Sequence, residues 1–177
     1  MATRSWWGWG NREDAVTGAE REALTERVAA LLPEAELTVH EAPDPKSLNV
    51  PAPRVRVPDT LAGLASEDLV DRVAHGHGQA FRDVVRNLLG RVDHVPDQVV
   101  RPRTEQDVVD ILDWCASAGV AVVPFGGGTS VVGGVEPRCA DAYAGSVALD
   151  TSRLGEILEL DRTSRAARIQ AGILGPA

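Results

Sequence analysis

Apolar and polar positions follow one period in the first half of the chain and another in the second, with the change near Val92. Before it the pattern is helical. From Thr17 to Leu32, residues Leu24, Val28, Leu31 and Leu32 share a face, Thr17 and Glu20 have capping-box spacing and Pro33 ends the run, which predicts a helix docked by its apolar stripe. A second helical block runs from about Ser66 to Leu89, broken at His75-Gly76-His77-Gly78 and resumed with Phe81, Val84, Val85, Leu88 and Leu89 on one side, with Gly90 placed to end it. Between the two blocks, prolines 43, 45, 51, 53 and 58 dictate an extended strap over about residues 42–58.

Beyond Val92 short β-type runs enter. Gln98 to Arg101 is a predicted strand, Thr104 to Ala118 a helix with Thr104 and Asp107 at capping-box positions, and Val120 to Pro124 a buried strand. The helix is expected to bury Val108, Ile111, Leu112 and Cys115, and Gly119 stands where a left-handed residue would close it. Strand, helix, strand reads as a βαβ unit. Ser146 to Asp150 follows as another strand, then a hairpin of Glu156–Asp161 with Ala166–Ala171. The fold class is therefore α+β: a helical extension over 1–92 and an αβ unit over 93–177.

Composition narrows the partner. In 177 residues, 26 acidic against 18 basic side chains give a net charge of −8, which lacks the electrostatic footprint of a nucleic-acid or anionic-membrane binder. No apolar run approaches the roughly 18 residues of a membrane span, and the N-terminus has no secretory signal pattern. Cys115 and Cys139 belong to no metal-ligand cluster; reduced thiols and a cytoplasmic protein are expected. His75 and His77 are two apart, so a helix would point their rings to different sides, and they read as residues of a helix joint rather than metal ligands. Trp6, Trp7 and Trp9 crowd a glycine-punctuated start. They predict either an arm packed on the body or a contact with substrate or a second copy.

Chemistry concentrates in one place. Phe125-Gly126-Gly127-Gly128-Thr129-Ser130 follows the second strand directly, and three glycines without Cβ atoms let a backbone approach a ligand closely. Successive amides form a nest for anionic oxygens, with two hydroxyls beside it, so a phosphate or pyrophosphate is the natural guest. The alternative is a tight connection that needs glycine for geometry alone. The run lacks the lysine of a P-loop. Val131 stands where a dinucleotide fingerprint requires its third glycine.

Pro96 to Val108, then Val122-Val123-Pro124-Phe125-Gly126-Gly127-Gly128-Thr129-Ser130, then Leu149-Asp150-Thr151-Ser152 together resemble the first subdomain of FAD-linked oxidases of the vanillyl-alcohol oxidase type, the PCMH-type FAD-binding fold. Within that superfamily, Asp71 to Gly78 and the Trp-rich start are most similar to bacterial relatives of alkyldihydroxyacetonephosphate synthase. The resemblance implies that Pro124, Phe125, Gly126, Gly127, Gly128, Thr129 and Ser130 wrap the FAD pyrophosphate. Thr129 stands where some branches carry a flavin-linked histidine, which implies noncovalent FAD. It further implies a parent enzyme that exchanges the acyl group of acyl-dihydroxyacetone phosphate for a fatty alcohol, acting on a lipid-derived small molecule, with a homodimer among its possible assemblies.

Two other functions stay open: an FAD-dependent dehydrogenase or oxidase of 2-hydroxy acids, and a non-enzymatic phosphate- or nucleotide-binding module. The resemblance also implies a chain cut within the flavin domain, with catalytic residues after Ala177 and no activity by itself. No residue present is assigned a catalytic role. Gly127→Val is expected to abolish FAD binding, both by its branched Cβ and by excluding a positive φ.

Overall fold

The computed structural model describes residues 4–138 and 142–175. Cys139 lies outside them. Four strands form the central sheet: β1 (Ala65–Ser66), β2 (Gln98–Val100), β3 (Val120–Phe125) and β4 (Gly145–Asp150) in the order β1-β2-β4-β3. The pairs β2/β4 and β3/β4 are parallel, and β1 joins β2 antiparallel through Ala65↔Val100 and Ser66↔Val99. The expected strand-helix-strand unit is present, but β4 is inserted between its two strands. β4 is buried along its whole length, as a central parallel strand must be.

Helix α4 (Glu105–Ala118) crosses between β2 and β3. Its capping box forms in both directions between Thr104 and Asp107, and Gly119 closes it in the left-handed region at φ 64°. Ile111 and Cys115 enter the core with Val100, Val120, Val147 and Leu149, and Val108 and Trp114 pack at its edge. Leu112, expected inside, is exposed. Burial pushes the Cys115 thiol up to about 11, so it is an inert part of the core.

The proline strap lies across the start of β4. The buried Asp97 carboxylate accepts hydrogen bonds from the backbone of Arg54 (2.7 Å) and Ser146 (2.7 Å), and Val55 and Val57 pack on the core. Arg72 of α2 (Leu69–Ala74) is buried and donates to the carbonyls of Pro96 and Pro51, both at 2.8 Å. One guanidinium thus satisfies two orphan carbonyls, one of the strap and one of the segment that leads into β2.

Two helical expectations are corrected. Helix α1 (Gly18–Leu31) has its capping box but buries no residue. Leu24, Val28, Leu31 and Leu32 are exposed, and Arg21 instead forms an ion pair with Glu41. Helix α3 (Phe81–Leu88) is polar on its inner side. Asp83 and Asn87 are buried while Phe81 is 85% exposed and Val85 and Leu89 face outward. Asn87 turns inward because its carbonyl accepts from His77 Nδ1 at 2.7 Å and its amide donates to the Trp7 carbonyl at 3.2 Å. The final hairpin, β5 (Ile157–Asp161) with β6 (Ala166–Ile169), pairs antiparallel with every residue exposed. Among the described residues no helix is long and apolar enough to cross a membrane.

Candidate functional site

Parallel pairing brings the carboxyl ends of three strands to one edge. The register Phe125↔Asp150 sets the glycine loop beside Asp150, and Val100↔Leu149 sets Arg101 on the other flank. Ligands of open parallel sheets bind outside this edge.

The loop leaves β3 at Pro124 and Phe125. Phe125 turns its ring inward and packs at a tilt of 48° against the His75 ring, with centroids 4.3 Å apart. Gly126, Gly127 and Thr129 are exposed, whereas Gly128 is buried. Gly128 is the residue at φ 64°, and a Cβ there would lie 2.4 Å from Phe125 Cζ and 2.9 Å from Arg4 Nη1. Gly127 has no positive φ, and its Cβ would meet nothing nearer than 3.8 Å. The positive φ expected at Gly127 therefore belongs to Gly128. Open space in front of Gly127 is what a cradle for a bulky anion requires.

Two carbonyls tie the loop down from behind. Arg4 Nη1 donates to the Gly127 carbonyl, and the Gln79 amide donates to the Ser130 carbonyl at 2.7 Å. A trans peptide holds C=O and N–H on opposite sides, so the tethered Gly127 and Ser130 carbonyls point the Gly128 and Val131 amides away from Arg4 and Gln79. Among the described residues, the amides of Gly127, Gly128 and Thr129 take no protein acceptor. Ser130 Oγ accepts from the Gly134 amide at 3.0 Å, which closes the loop on itself. Amide donors without protein acceptors, and without Cβ atoms between them, suit a pyrophosphate.

Beneath the loop is a charged cluster. Arg101 clamps Asp71 through both nitrogens (2.6 and 2.7 Å) and reaches Asp150 Oδ2 at 2.8 Å, while His75 Nε2 lies 3.2 Å from the same oxygen. Burial pushes the Asp150 carboxyl up, but hydrogen bonds from His75 and Ser152 outweigh it and hold it at about 2. Asp150 is thus a fixed anion held between the Arg101 guanidinium and the His75 ring.

A second cluster lies nearby. His77 is buried and kept neutral, its pKa lowered chiefly by burial. It lies 3.7 Å from Glu136, whose carboxylate also takes Arg86, His94 and Arg138. The two histidines point to different partners, Asp150 and Asn87.

The C-terminal half matches the FAD binding domain family over residues 96–177. These residues are an FAD-binding domain. Curated relatives include alkyldihydroxyacetonephosphate synthase of Trypanosoma brucei brucei, 37% identical over 72% of this chain and 22% of its own length. The glycolate oxidase subunit GlcD of Bacillus subtilis is 32% identical over 45% of this chain and 16% of its own length. A solved alkyldihydroxyacetonephosphate synthase superposes with a TM-score of 0.78 at 25% identity, over 97% of this chain and 37% of that one. The chain spans about a fifth of the length of these curated relatives. At 97% coverage the structural match extends well into the first 95 residues, outside the FAD binding domain family match.

Of the seven residues predicted to wrap FAD, the structure leaves Gly126, Gly127 and Thr129 exposed along the loop, buries Gly128 between them and half-buries Ser130. Pro124 is the exposed next-to-last residue of β3, and Phe125 ends the strand with its ring packed inward. Arg4 gave no sequence signal: a lone arginine 123 residues away carries no spacing to read.

Proposed function

We propose that the loop from Pro124 to Ser130 holds the pyrophosphate of noncovalently bound FAD, in an enzyme that exchanges the acyl group of acyl-dihydroxyacetone phosphate for a fatty alcohol. The observation that carries the binding site is the open face at Gly127, with three amides lacking protein acceptors above two tethered carbonyls. The choice of chemistry is supported by the synthase relatives and by the structural likeness that extends well into the first 95 residues. Bound FAD supplies the redox-active ring system. The residues of this chain orient it: the loop amides bind the phosphates, Asp150 and Arg101 fix the strand ends, and the arm braces the loop. In this reading the protein is cytoplasmic, residues 1–92 form the extension and 93–177 the first flavin lobe.

A second reading, oxidation of a 2-hydroxy acid, is favoured by the glycolate oxidase relative. The full-length protein, purified and scanned for flavin absorbance, is expected to carry FAD released by denaturation. Turnover should then appear with acyl-dihydroxyacetone phosphate and a fatty alcohol. Turnover with D-lactate or glycolate instead would transfer the assignment to the second reading, and a colourless protein that FAD does not stabilise would remove both.

A further inference from the structure

We infer that Arg4 is a positioning residue of the flavin site, and that docking of the N-terminal arm and binding of FAD at the glycine loop stabilise one another. The inference rests on the reading that this loop holds the FAD pyrophosphate, and it adds a residue from outside the FAD-binding domain of 96–177.

The arm is a small closed hairpin. Arg4 bridges Asn11 in antiparallel fashion, the Ser5 amide donates to the Gly10 carbonyl at 3.0 Å, and Gly10 takes φ 83°. Two side-chain bonds dock it: Trp9 Nε1 donates to the Gln79 carbonyl at 3.0 Å, and Asn87 donates to the Trp7 carbonyl. Gly8 is buried, and a Cβ on it would lie 3.9 Å from Val84. Gln79, held by the arm through its carbonyl, holds Ser130 through its amide.

Arm, turn and glycine loop are thus one hydrogen-bonded chain. At its end the Arg4 guanidinium donates to the Gly127 carbonyl, whose peptide points the Gly128 amide away from Arg4. A cation behind that peptide polarises it, so the amide in front becomes the stronger donor to an anion. The arrangement is also a tether, since Arg4 fixes the peptide before the ligand arrives. Linkage makes the effect mutual: what the arm contributes to FAD affinity, FAD returns to arm docking.

The test uses the full-length protein with FAD removed and added back. Arg4→Met is expected to weaken FAD binding about tenfold, which lies within the ordinary range of site coupling, and Arg4→Lys to recover part of the loss. The Met variant's deficit should shrink at high salt, because the cation lies at the surface. Trypsin cleavage at the exposed Arg12 should slow when FAD is added to the parent protein and remain unchanged by FAD in Arg4→Met. Trp9→Phe keeps the ring but removes the bond to Gln79, and it should show the same two effects more weakly. FAD affinity within twofold of the parent in both Arg4→Met and Trp9→Phe, with cleavage at Arg12 insensitive to FAD, would overturn the role of the arm and leave the loop reading standing. No FAD binding by the parent would overturn both.

Discussion

Gly127 and Gly128 are adjacent and chemically identical, yet the fold asks different things of them. Gly128 carries the positive φ, and its missing Cβ makes room for the Phe125 ring and Arg4. Gly128→Ala should therefore destabilise the free protein by roughly 2 to 4 kcal/mol, from left-handed strain and overpacking together. Gly127 makes room for nothing in the protein. Gly127→Ala should leave the melting temperature of the flavin-free protein within about 2 °C of the parent, a shift matching no more than about 1 kcal/mol. Its FAD affinity should nevertheless fall about tenfold or more, because the added methyl occupies the face offered to the ligand. Melting curves and FAD titrations of the two variants separate a glycine required by the chain from one required by its guest. Similar FAD affinities for Gly127→Ala and the parent would mean that the pyrophosphate does not lie on that face.

Between elements, the decisive contact joins the turn after α2 to the glycine loop. A Cβ on Gly78 would lie 2.1 Å from the Ser130 carbonyl oxygen and 3.0 Å from its carbon, so backbone lies directly against backbone there. Gly78→Ala must push the two segments apart and break the Gln79 to Ser130 hydrogen bond. The expected result is a loss of about 1 to 3 kcal/mol in denaturant unfolding together with weaker FAD binding. Unchanged flavin affinity in a destabilised Gly78→Ala would show that the turn supports the fold but not the loop. Helix α3 belongs to this scale as well. Its apolar residues suggested an inward stripe, but the polar partners at His77 and Trp7 rotate Asn87 inward and leave Phe81 in solvent.

Across the whole molecule, 26 acidic side chains stand against 18 basic ones, and two of the buried carboxylates, Glu136 and Asp150, are held far below their ordinary range. Burial pushes Glu136 up, but hydrogen bonds from Arg138, Arg86 and His94 outweigh it and hold it at about 2, like Asp150. A carboxylate depressed in the folded state adds stability above its unfolded pKa and loses it as pH falls toward the folded value. His77, depressed by burial, acts with the same sign below its ordinary value of 6.5. Unfolding stability should therefore fall steeply between about pH 4.5 and 2, the interval bounded by the ordinary and folded values of Glu136. Glu136→Gln should be less stable than the parent at pH 7 and lose less across that interval; equal pH slopes for the two proteins would remove Glu136 from the account. What the sequence determined by itself was local or periodic. The α4 capping box, the Gly119 stop, the strands around them and the glycine loop were legible because each depends on residues within a few positions of one another. The insertion of β4 between β2 and β3, the fourth strand from Ala65–Ser66, the inverted burial of α3 and the exposure of α1 were decided by tertiary structure. So were the partners of His75, Asp150 and Arg4, since a hydrogen bond spanning 75 or 123 residues leaves no periodicity in the chain that makes it.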